Sequence, residues 1–240
     1  MQAIDVKAEI QGPDLRTSVW YGLLLLLSLF LLRLAFALPG GPGQAALALL
    51  LYASGALFFA LLLAPPATGQ GWTRFAHNGR SALIAVIVLL LAAILDPVTR
   101  EVIDKLLPAT VTLFLLVFAG LTAAGMATGT VEARAAVFML FAVLFASPLW
   151  LAPFAELANG WSAPPNAIVG ISPLSALSVS LDIDYLRTPW FYRNSPLGSL
   201  RYDYPSWLTY LTLLGALSAT LTVWALRTER RRRNEYTRSN

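Results

Sequence analysis

Long apolar runs alternate with short polar breaks along the chain of 240 residues. A helix needs about 20 mostly apolar residues to cross a bilayer. Several runs approach or reach that length, and proline- and glycine-rich turns at 39–43 and 65–66 separate the first of them. The predicted spans are 19–38, 45–64, 81–95, 107–127, 135–157 and 207–226. The pattern therefore predicts an all-α integral membrane protein with six transmembrane helices.

Two of the predicted spans are irregular. The strongly apolar part of the third is short, so flanking residues such as Ser81 are needed to complete it, and the span stops at Asp96 before Pro97. The fifth carries Pro148 and Pro153. Proline removes a backbone donor and crowds the preceding turn, so we expect a kink or break in the last third of the fifth span.

Two shorter stretches predict helices that do not cross. Residues 98–107 mix apolar and charged side chains and predict a short amphipathic helix at the outer surface. Residues 167–181 are apolar but too short to cross, and Pro173 interrupts them. Such a piece is more typical of a re-entrant or interfacial segment. We therefore expect re-entrant or interfacial helices that flank Pro173 and pack against the spans.

These elements predict a single membrane domain over 1–240. Its parts are a cytoplasmic N-terminal segment 1–18, five transmembrane helices within 19–157, an outer segment 158–206, the sixth helix 207–226 and a basic cytoplasmic tail 227–240. Residues 1–18 are mixed polar, which is not the pattern of a cleaved signal peptide.

Composition supports the same class. Hydrophobic residues make up 57% of the chain and charged residues 12%, whereas a soluble domain carries about 25% charged residues. A soluble fold of this size could not hide so much apolar surface from water, so the lipid bilayer is the expected partner. The chain has no cysteine and one histidine. That inventory excludes disulfides, thiolate metal sites and multi-histidine metal centres, and we predict no cofactor.

Basic residues favour an orientation with both termini in the cytoplasm. An even number of spans puts both ends on one side, and that side then holds most of the lysines and arginines. The largest share comes from the tail, where the arginine cluster 230–233 would also attract anionic headgroups. Topology thus accounts for the positive charge without a nucleic-acid partner. We predict a multi-pass protein of a bacterial-type inner (plasma) membrane.

Aromatic and charged side chains interleave in the later part of the outer segment. They allow two interpretations: an aromatic belt at headgroup level with paired charges, or a lid or docking surface for a partner protein or a translocated molecule. The residues assigned to this docking or lid segment are Tyr185, Arg187, Trp190, Tyr192, Arg193, Arg201 and Tyr202.

Arg33 is the only basic residue well inside a predicted span. It lies close enough to the outer end for its side chain to snorkel to the headgroups. The alternative is an intramembrane ion pair, for which Glu156, also near the outer end, is the candidate partner.

No catalytic set is evident. There is no Gly-rich phosphate loop of the Walker type, so the chain is not expected to hydrolyse ATP. His77 falls on a predicted inner loop and is expected to be solvated or to face headgroups. Asp182 and Asp184 could form an outer metal site, but a pair of solvated loop acids explains them equally well. We therefore predict no enzymatic activity, no catalytic residue and no metal ligand.

The arrangement resembles the membrane subunits of ABC-2-type transporters. The residues that carry the resemblance are the inner loop 67–80 between the second and third spans and the Ser172-Pro173-Leu174 turn between the fifth and sixth. The resemblance implies six spans, both ends inside and short re-entrant helices before the last span. It also implies that Trp72, Arg74, Phe75 and Arg80 contact a separate ATPase subunit, and that the permease associates with itself.

Two functions remain open at this point. The first is a permease-like subunit that works with a separate ATP-binding subunit, with the first, second and fifth helices lining the path. The second is a non-transporting accessory or assembly subunit of a larger membrane complex, which would dock outer-side protein partners through 158–206.

Overall fold

The computed structural model describes residues 15–35, 44–65, 72–126, 131–150, 163–188 and 203–239. Helices account for 92% of these residues, and none of them lies in a strand. The prediction of an all-α protein is therefore confirmed for the described part of the chain.

The helices follow the predicted spans in order, with two short helices inserted before the last. The α-helices are α1 Leu15–Ala35, α2 Gln44–Leu63, α3 Trp72–Leu95, α4 Leu106–Met126, α5 Val131–Phe145, α6 Ser147–Trp150, α7 Ala163–Ile171, α8 Pro173–Ser180 and α9 Trp207–Ser239. The 3₁₀ helices are Pro97–Lys105 and Tyr185–Arg187. Five of these helical segments, α1, α2, α3, the run from Pro97 to Met126, and α9, are long and apolar enough to cross a membrane.

Side-chain contacts near the helix ends show that α1 and α3 run in the same direction and that α4 runs in the opposite one. The end of α1 meets the end of α3 through Arg33 and Asp96. The beginning of α3 meets the end of α4 through Arg74 and Gly125. The end of the bundle with Arg33 and Asp96 is called the hairpin end, because the short helices α7 and α8, which follow one another as a helical hairpin, pack beside it. The end with Arg74 and Gly125 is called the tail end.

Small residues let the helices approach closely at the centre. A Cβ atom built on Gly55 would lie 2.6 Å from Leu32 Cδ2, which places α1 directly against α2. A Cβ atom on Gly120 would lie 2.6 Å from Leu61 Cδ2 and 3.3 Å from a ring carbon of Phe141. Helix association in lipid depends on such close packing, since lipid tails are as apolar as the helix surfaces. The core is built mainly from buried residues of α2, α3 and α4, and Phe138 and Phe141 of α5 pack against it.

The outer faces of α1 and α9 present large apolar side chains that no other described helix covers. Leu23, Phe30 and Leu34 on α1 and Leu208 and Leu213 on α9 are all more than half exposed. In water such surfaces would be costly, whereas in a bilayer they face lipid tails. This distribution is that of a membrane protein.

Several predicted boundaries were wrong. The third helix begins at Trp72 rather than after Arg80, so most of the predicted loop 67–80 is helical. The fifth helix begins at Val131 and is interrupted after Phe145, and α6 follows as a separate turn of helix. The break therefore lies nearer the middle of the predicted span 135–157 than in its last third, and residues 151–157 lie outside the described part of the chain. The last helix continues far beyond 226 to Ser239, so the basic tail is helical. The amphipathic stretch 98–107 is largely covered by the 3₁₀ helix Pro97–Lys105.

Candidate functional site

The break after α5 is closed by side chains from the short helix pair α7–α8. At 15 residues, α5 is about 22 Å long, less than the ~30 Å hydrocarbon core. Ser172, in the turn between α7 and α8, donates a hydrogen bond to the carbonyl oxygen of Phe145 at 3.2 Å. Ser147, the first residue of α6, donates in turn to the carbonyl of Ile168 on α7 at 3.3 Å. These bonds satisfy backbone groups that lipid could not.

Ser172 occupies the N-cap position of α8, but its side chain does not cap that helix. Its hydroxyl instead crosses to Phe145. Tyr210 on α9 adds a third connection by donating to the carbonyl of Val169 at 3.2 Å. The pair is thus bonded to α5, α6 and α9 as well as packed on them. The two helices flanking Pro173 agree with the prediction.

Buried serines line the inside of α8. Ser175 and Ser178 are fully buried, and the Ser175 hydroxyl lies 2.9 Å from the hydroxyl of Tyr185. Ser178 donates to the carbonyl of Ser175 at 2.9 Å within its own helix. A buried hydroxyl needs a hydrogen-bond partner, and these two find theirs within α8 and on Tyr185. Their spacing of three residues was the available sequence signal, and it was not used in the prediction.

The end of α8 has a Schellman geometry. The amide of Ile183 donates to the carbonyl of Ser178 at 2.9 Å, and the amide of Asp182 donates to that of Val179 at 3.1 Å. Asp182 takes the left-handed conformation with φ of 58°, where glycine is usual. Its carboxylate lies 3.2 Å from Lys105 Nζ, at the end of the 3₁₀ helix.

The next acid, Asp184, has separate partners. Arg187 Nε lies 3.1 Å from its Oδ2, and the Tyr204 hydroxyl donates to its Oδ1 at 3.0 Å. Asp182 and Asp184 therefore stabilise the chain before α9 through different contacts, and they do not converge on one point. In the described ranges no three His, Cys, Asp or Glu side chains gather as metal ligands.

The predicted docking or lid residues fall into three groups. Tyr185 is 5% exposed and packs inward beneath the segment. The side chain of Arg187 is 73% exposed. Trp190, Tyr192, Arg193, Arg201 and Tyr202 lie outside the described residues. In the described part, Tyr185 therefore anchors the segment to α8, and Arg187 is the group that reaches solvent or headgroups.

At the tail end, the residues predicted to contact an ATPase form the first turns of α3. Trp72 is 72% exposed, while Phe75 is buried, and their rings meet edge to face with centroids 6.1 Å apart. Arg74 donates to the carbonyl of Gly125 at 3.2 Å. Arg80 lies two turns further along the same helix. These four residues therefore belong to one continuous helix that ends at the opposite side of the bundle.

Cationic side chains cap the tail ends of α2 and α4. Arg134 on α5 donates to the carbonyl of Ala64 at 2.5 Å, just beyond α2, and Arg74 serves α4 in the same way. A guanidinium satisfies the unpaired carbonyls of a last turn and complements the negative end of the helix dipole. Capping of helix ends therefore explains why arginines lie at positions 74 and 134, and no bound anion is needed to explain them.

The interpretation of His77 as a solvated side chain was wrong. The residue is 5% exposed, and its Nε2 lies 3.2 Å from the carbonyl oxygen of Pro65. A carbonyl only accepts, so the ring proton belongs on Nε2. Nδ1 is buried and has no hydrogen-bond partner among the described residues. His77 lies inside a helix rather than on a loop, which is why the sequence-based interpretation failed.

Among the described residues, Arg33 forms an ion pair with Asp96. Its Nε lies 2.9 Å from Asp96 Oδ2, and the Tyr52 hydroxyl donates to the same oxygen at 2.9 Å. The other carboxylate oxygen accepts from the Val98 amide at 3.0 Å and so caps the 3₁₀ helix. Burial raises the pKa of Asp96, but the bonds from Arg33, Val98 and Tyr52 outweigh burial and hold the pKa below its usual value.

The pair was missed because Asp96 was interpreted only as a helix stop. Arg33 lies near the outer end of the first predicted span and Asp96 directly follows the outer end of the third, so similar depth was the available signal. Glu156, the predicted partner, lies outside the described residues.

Comparison with known proteins adds no relative: no protein-family model, no curated protein and no solved structure matches the chain. Function therefore has to be inferred from the contacts of the helix pair α7–α8, the beginning of α3 and the Arg33–Asp96 pair.

Proposed function

We propose that the chain is a permease-like subunit of the ABC-2 type, which works with a separate ATPase subunit. The observation that carries the proposal is the helix pair α7–α8, inserted beside a broken α5 and directly before the last long helix. The family that the sequence resembles has short re-entrant helices at that position. Because Ser172 and Ser147 bond the pair to α5 and α6, the pair and the break form one unit.

In this proposal the membrane is crossed six times, with α5 and α6 together as the fifth crossing. An even number of crossings puts both termini on one side, at the tail end. The arginines of the helical tail favour the cytoplasmic side of a bacterial-type inner membrane. The first, second and fifth helices would line the path, and a second copy of the chain would complete it.

The ATPase contact in this proposal is the first part of α3. Trp72 offers an exposed indole and Arg80 adds charge two turns on. A force applied to Trp72 would act on one continuous helix from Trp72 to Leu95, whose end is connected to α1 by the Arg33–Asp96 pair. Rigid helices transmit such displacements better than loops do. The helical form of this segment therefore supports a coupling role.

The proposal is tested by purifying the chain from its native membranes in mild detergent. We expect a co-purified protein with a Walker phosphate loop, identified by mass spectrometry, and vanadate-sensitive ATP hydrolysis by the complex. Trp72→Ala should reduce both the bound ATPase and the hydrolysis rate on the order of tenfold, the usual loss for an aromatic interface anchor.

Trp224→Ala is the matched control, since Trp224 is also an exposed tryptophan but lies on the lipid-facing side of α9. The proposal fails if no ATP-binding protein co-purifies, or if both variants behave alike.

The alternative, an accessory subunit that docks partners through 158–206, predicts a different result. Partners without a Walker loop would co-purify, and changing Trp190 and Tyr192 to Ala would release them while Trp72→Ala would not.

A further inference from the structure

A groove of about 760 Å³ runs along the outside of α1, between α1 and the end of α3. Its walls are apolar, with Leu23, Leu27, Phe30 and Leu34 from α1 and Leu95 from α3. Each of these side chains is about half exposed or more. The volume lies within the ~300–1,000 Å³ range of ligand pockets.

The groove has the length of one bilayer leaflet. Leu23 and Leu34 lie 11 residues apart on α1, which corresponds to about 16 Å at the rise of an α-helix. Half of the ~30 Å hydrocarbon core is nearly the same length. Since α1 is long and apolar enough to cross the membrane, a groove along it is parallel to the lipid tails, and an extended acyl chain fits its direction and its length.

The polar groups of the groove are concentrated at the hairpin end. There Arg33, Asp96 and Tyr52 line the groove. The side chain of Arg33 is 18% exposed and that of Asp96 is 11% exposed. A carboxylate has about four acceptor positions. Asp96 uses three of them, for Arg33, Tyr52 and the Val98 amide.

The charges of this polar end select among headgroups. The pair is neutral as a whole, so it has no net attraction for an anionic lipid. It presents a guanidinium, which suits a phosphate, close to a carboxylate that can accept one more N–H bond. A headgroup with a phosphate and a primary ammonium a few bonds apart complements both.

We propose that this groove binds one phosphatidylethanolamine molecule of the surrounding bilayer, with an acyl chain along α1 and its headgroup at the Arg33–Asp96 pair. A choline headgroup would present no N–H to Asp96, and a glycerol headgroup would present no positive charge. The groove is spatially separate from the proposed ATPase contact, because the groove and Trp72 lie at opposite ends of α3.

The test uses the purified full chain in detergent micelles doped with phosphatidylethanolamine, phosphatidylglycerol or phosphatidylcholine at equal mole fraction. Native mass spectrometry measures the retained lipid, and thermal unfolding measures its effect on stability. We expect a one-to-one adduct that is strongest for phosphatidylethanolamine, with a rise in the unfolding temperature for that lipid alone.

Two kinds of variant separate the contribution of the lipid's acyl chain to binding from that of its headgroup. Leu27→Trp fills the groove and should reduce adduct formation on the order of tenfold, the scale of losing about two methylene contacts. Its control is Leu213→Trp, an equally exposed position on α9 outside the groove. Asp96→Asn keeps an acceptor for the Val98 amide but removes the charge, so it should abolish the preference for phosphatidylethanolamine.

The proposal is overturned if wild-type protein retains the three lipids equally, or if Leu27→Trp retains as much as Leu213→Trp. It is also overturned if Leu27→Trp dissociates a dimer while lipid retention is unchanged, since a second copy would then be the occupant. None of these readouts involves an ATPase, so they leave the proposed function unaffected.

Discussion

At the scale of single residues, charges from distant parts of the sequence meet where their helices end at the same side of the bundle. Arg33 pairs with Asp96 across helices that are far apart in sequence but end at the same side. Lys105 and Asp182 meet at that same end. The sequence identified Arg33 as unusual, yet depth alone leaves several possible partners. Choosing among them requires the lateral arrangement of the helices, which an apolar pattern does not encode.

The left-handed conformation of Asp182 leads to a prediction about the turn after α8. Asp182→Gly removes an exposed ion pair worth about 0–1 kcal/mol and relieves a backbone cost of similar size. We therefore expect its unfolding temperature in detergent to equal or slightly exceed that of the wild type. Asp182→Val loses the pair and increases the strain, so it should be less stable by about 1–2 kcal/mol. If both variants were equally destabilised, the Lys105 contact rather than the backbone would control the turn.

At the scale of elements, the existence of the long helices and several of their ends could be predicted, but the beginning of α3 and the ends of α5 and α9 could not. Apolar runs of about 20 residues identified all the long helices. The beginning of α3 was missed because Arg74, His77 and Arg80 interrupt the apolar pattern, although two of these side chains have partners on neighbouring segments. The break in α5 was predicted from Pro148, but its completion by Ser172 depends on tertiary contacts.

The contribution to stability of the Ser172 hydroxyl, which bonds to the end of α5, should be measurable. Ser172→Ala removes the bond to Phe145 and leaves that carbonyl without its side-chain donor, so stability should fall by about 1–3 kcal/mol. Ser28→Ala is the matched control, because the Ser28 hydroxyl bonds only within α1, to Leu24. Thermal unfolding of the two variants under identical conditions compares them. If Ser172→Ala and Ser28→Ala were equally stable, packing rather than this hydrogen bond would hold the helix pair α7–α8 against α5.

Close packing at the centre gives a second prediction at this scale. Gly120→Val places methyl groups against Leu61 and Phe141, which already lie 2.6 and 3.3 Å from a Cβ built at this position, and should cost about 1–3 kcal/mol. Gly215→Val is the control, because a Cβ there has no neighbour within 4 Å. It should be neutral or slightly stabilising, since valine favours a helix over glycine. Unfolding temperatures in detergent decide the comparison, and a neutral Gly120→Val would contradict the packing of α4 against α2 and α5.

At the scale of the whole molecule, the ends of the bundle differ in character. The hairpin end has short helices, an ion pair and a groove, whereas the tail end has exposed Trp72 and arginine caps on helix ends. The division suits a protein whose two sides face different compartments.

The absence of cysteine from the sequence makes this division directly testable. Single cysteines introduced at Asp104 and at Arg231, both exposed, should react with a membrane-impermeant maleimide from opposite sides of intact cells. We expect labelling of Asp104→Cys from outside and of Arg231→Cys only after the membrane is opened. Labelling of both from one side would overturn the proposed topology.

The short α5 also has a consequence for biosynthesis. When this helix leaves the ribosome, the residues that satisfy its open end have not yet been made. Its carbonyl at Phe145 meets Ser172 only after the following turn and α7 have been synthesised. In the proposed topology, with α5 and α6 as the fifth crossing, the middle of the protein therefore acquires its final place in the bilayer from a later part of the chain. A nascent chain that stops before Ser172 would hold α5 in the membrane weakly, although every residue of that helix would already be present.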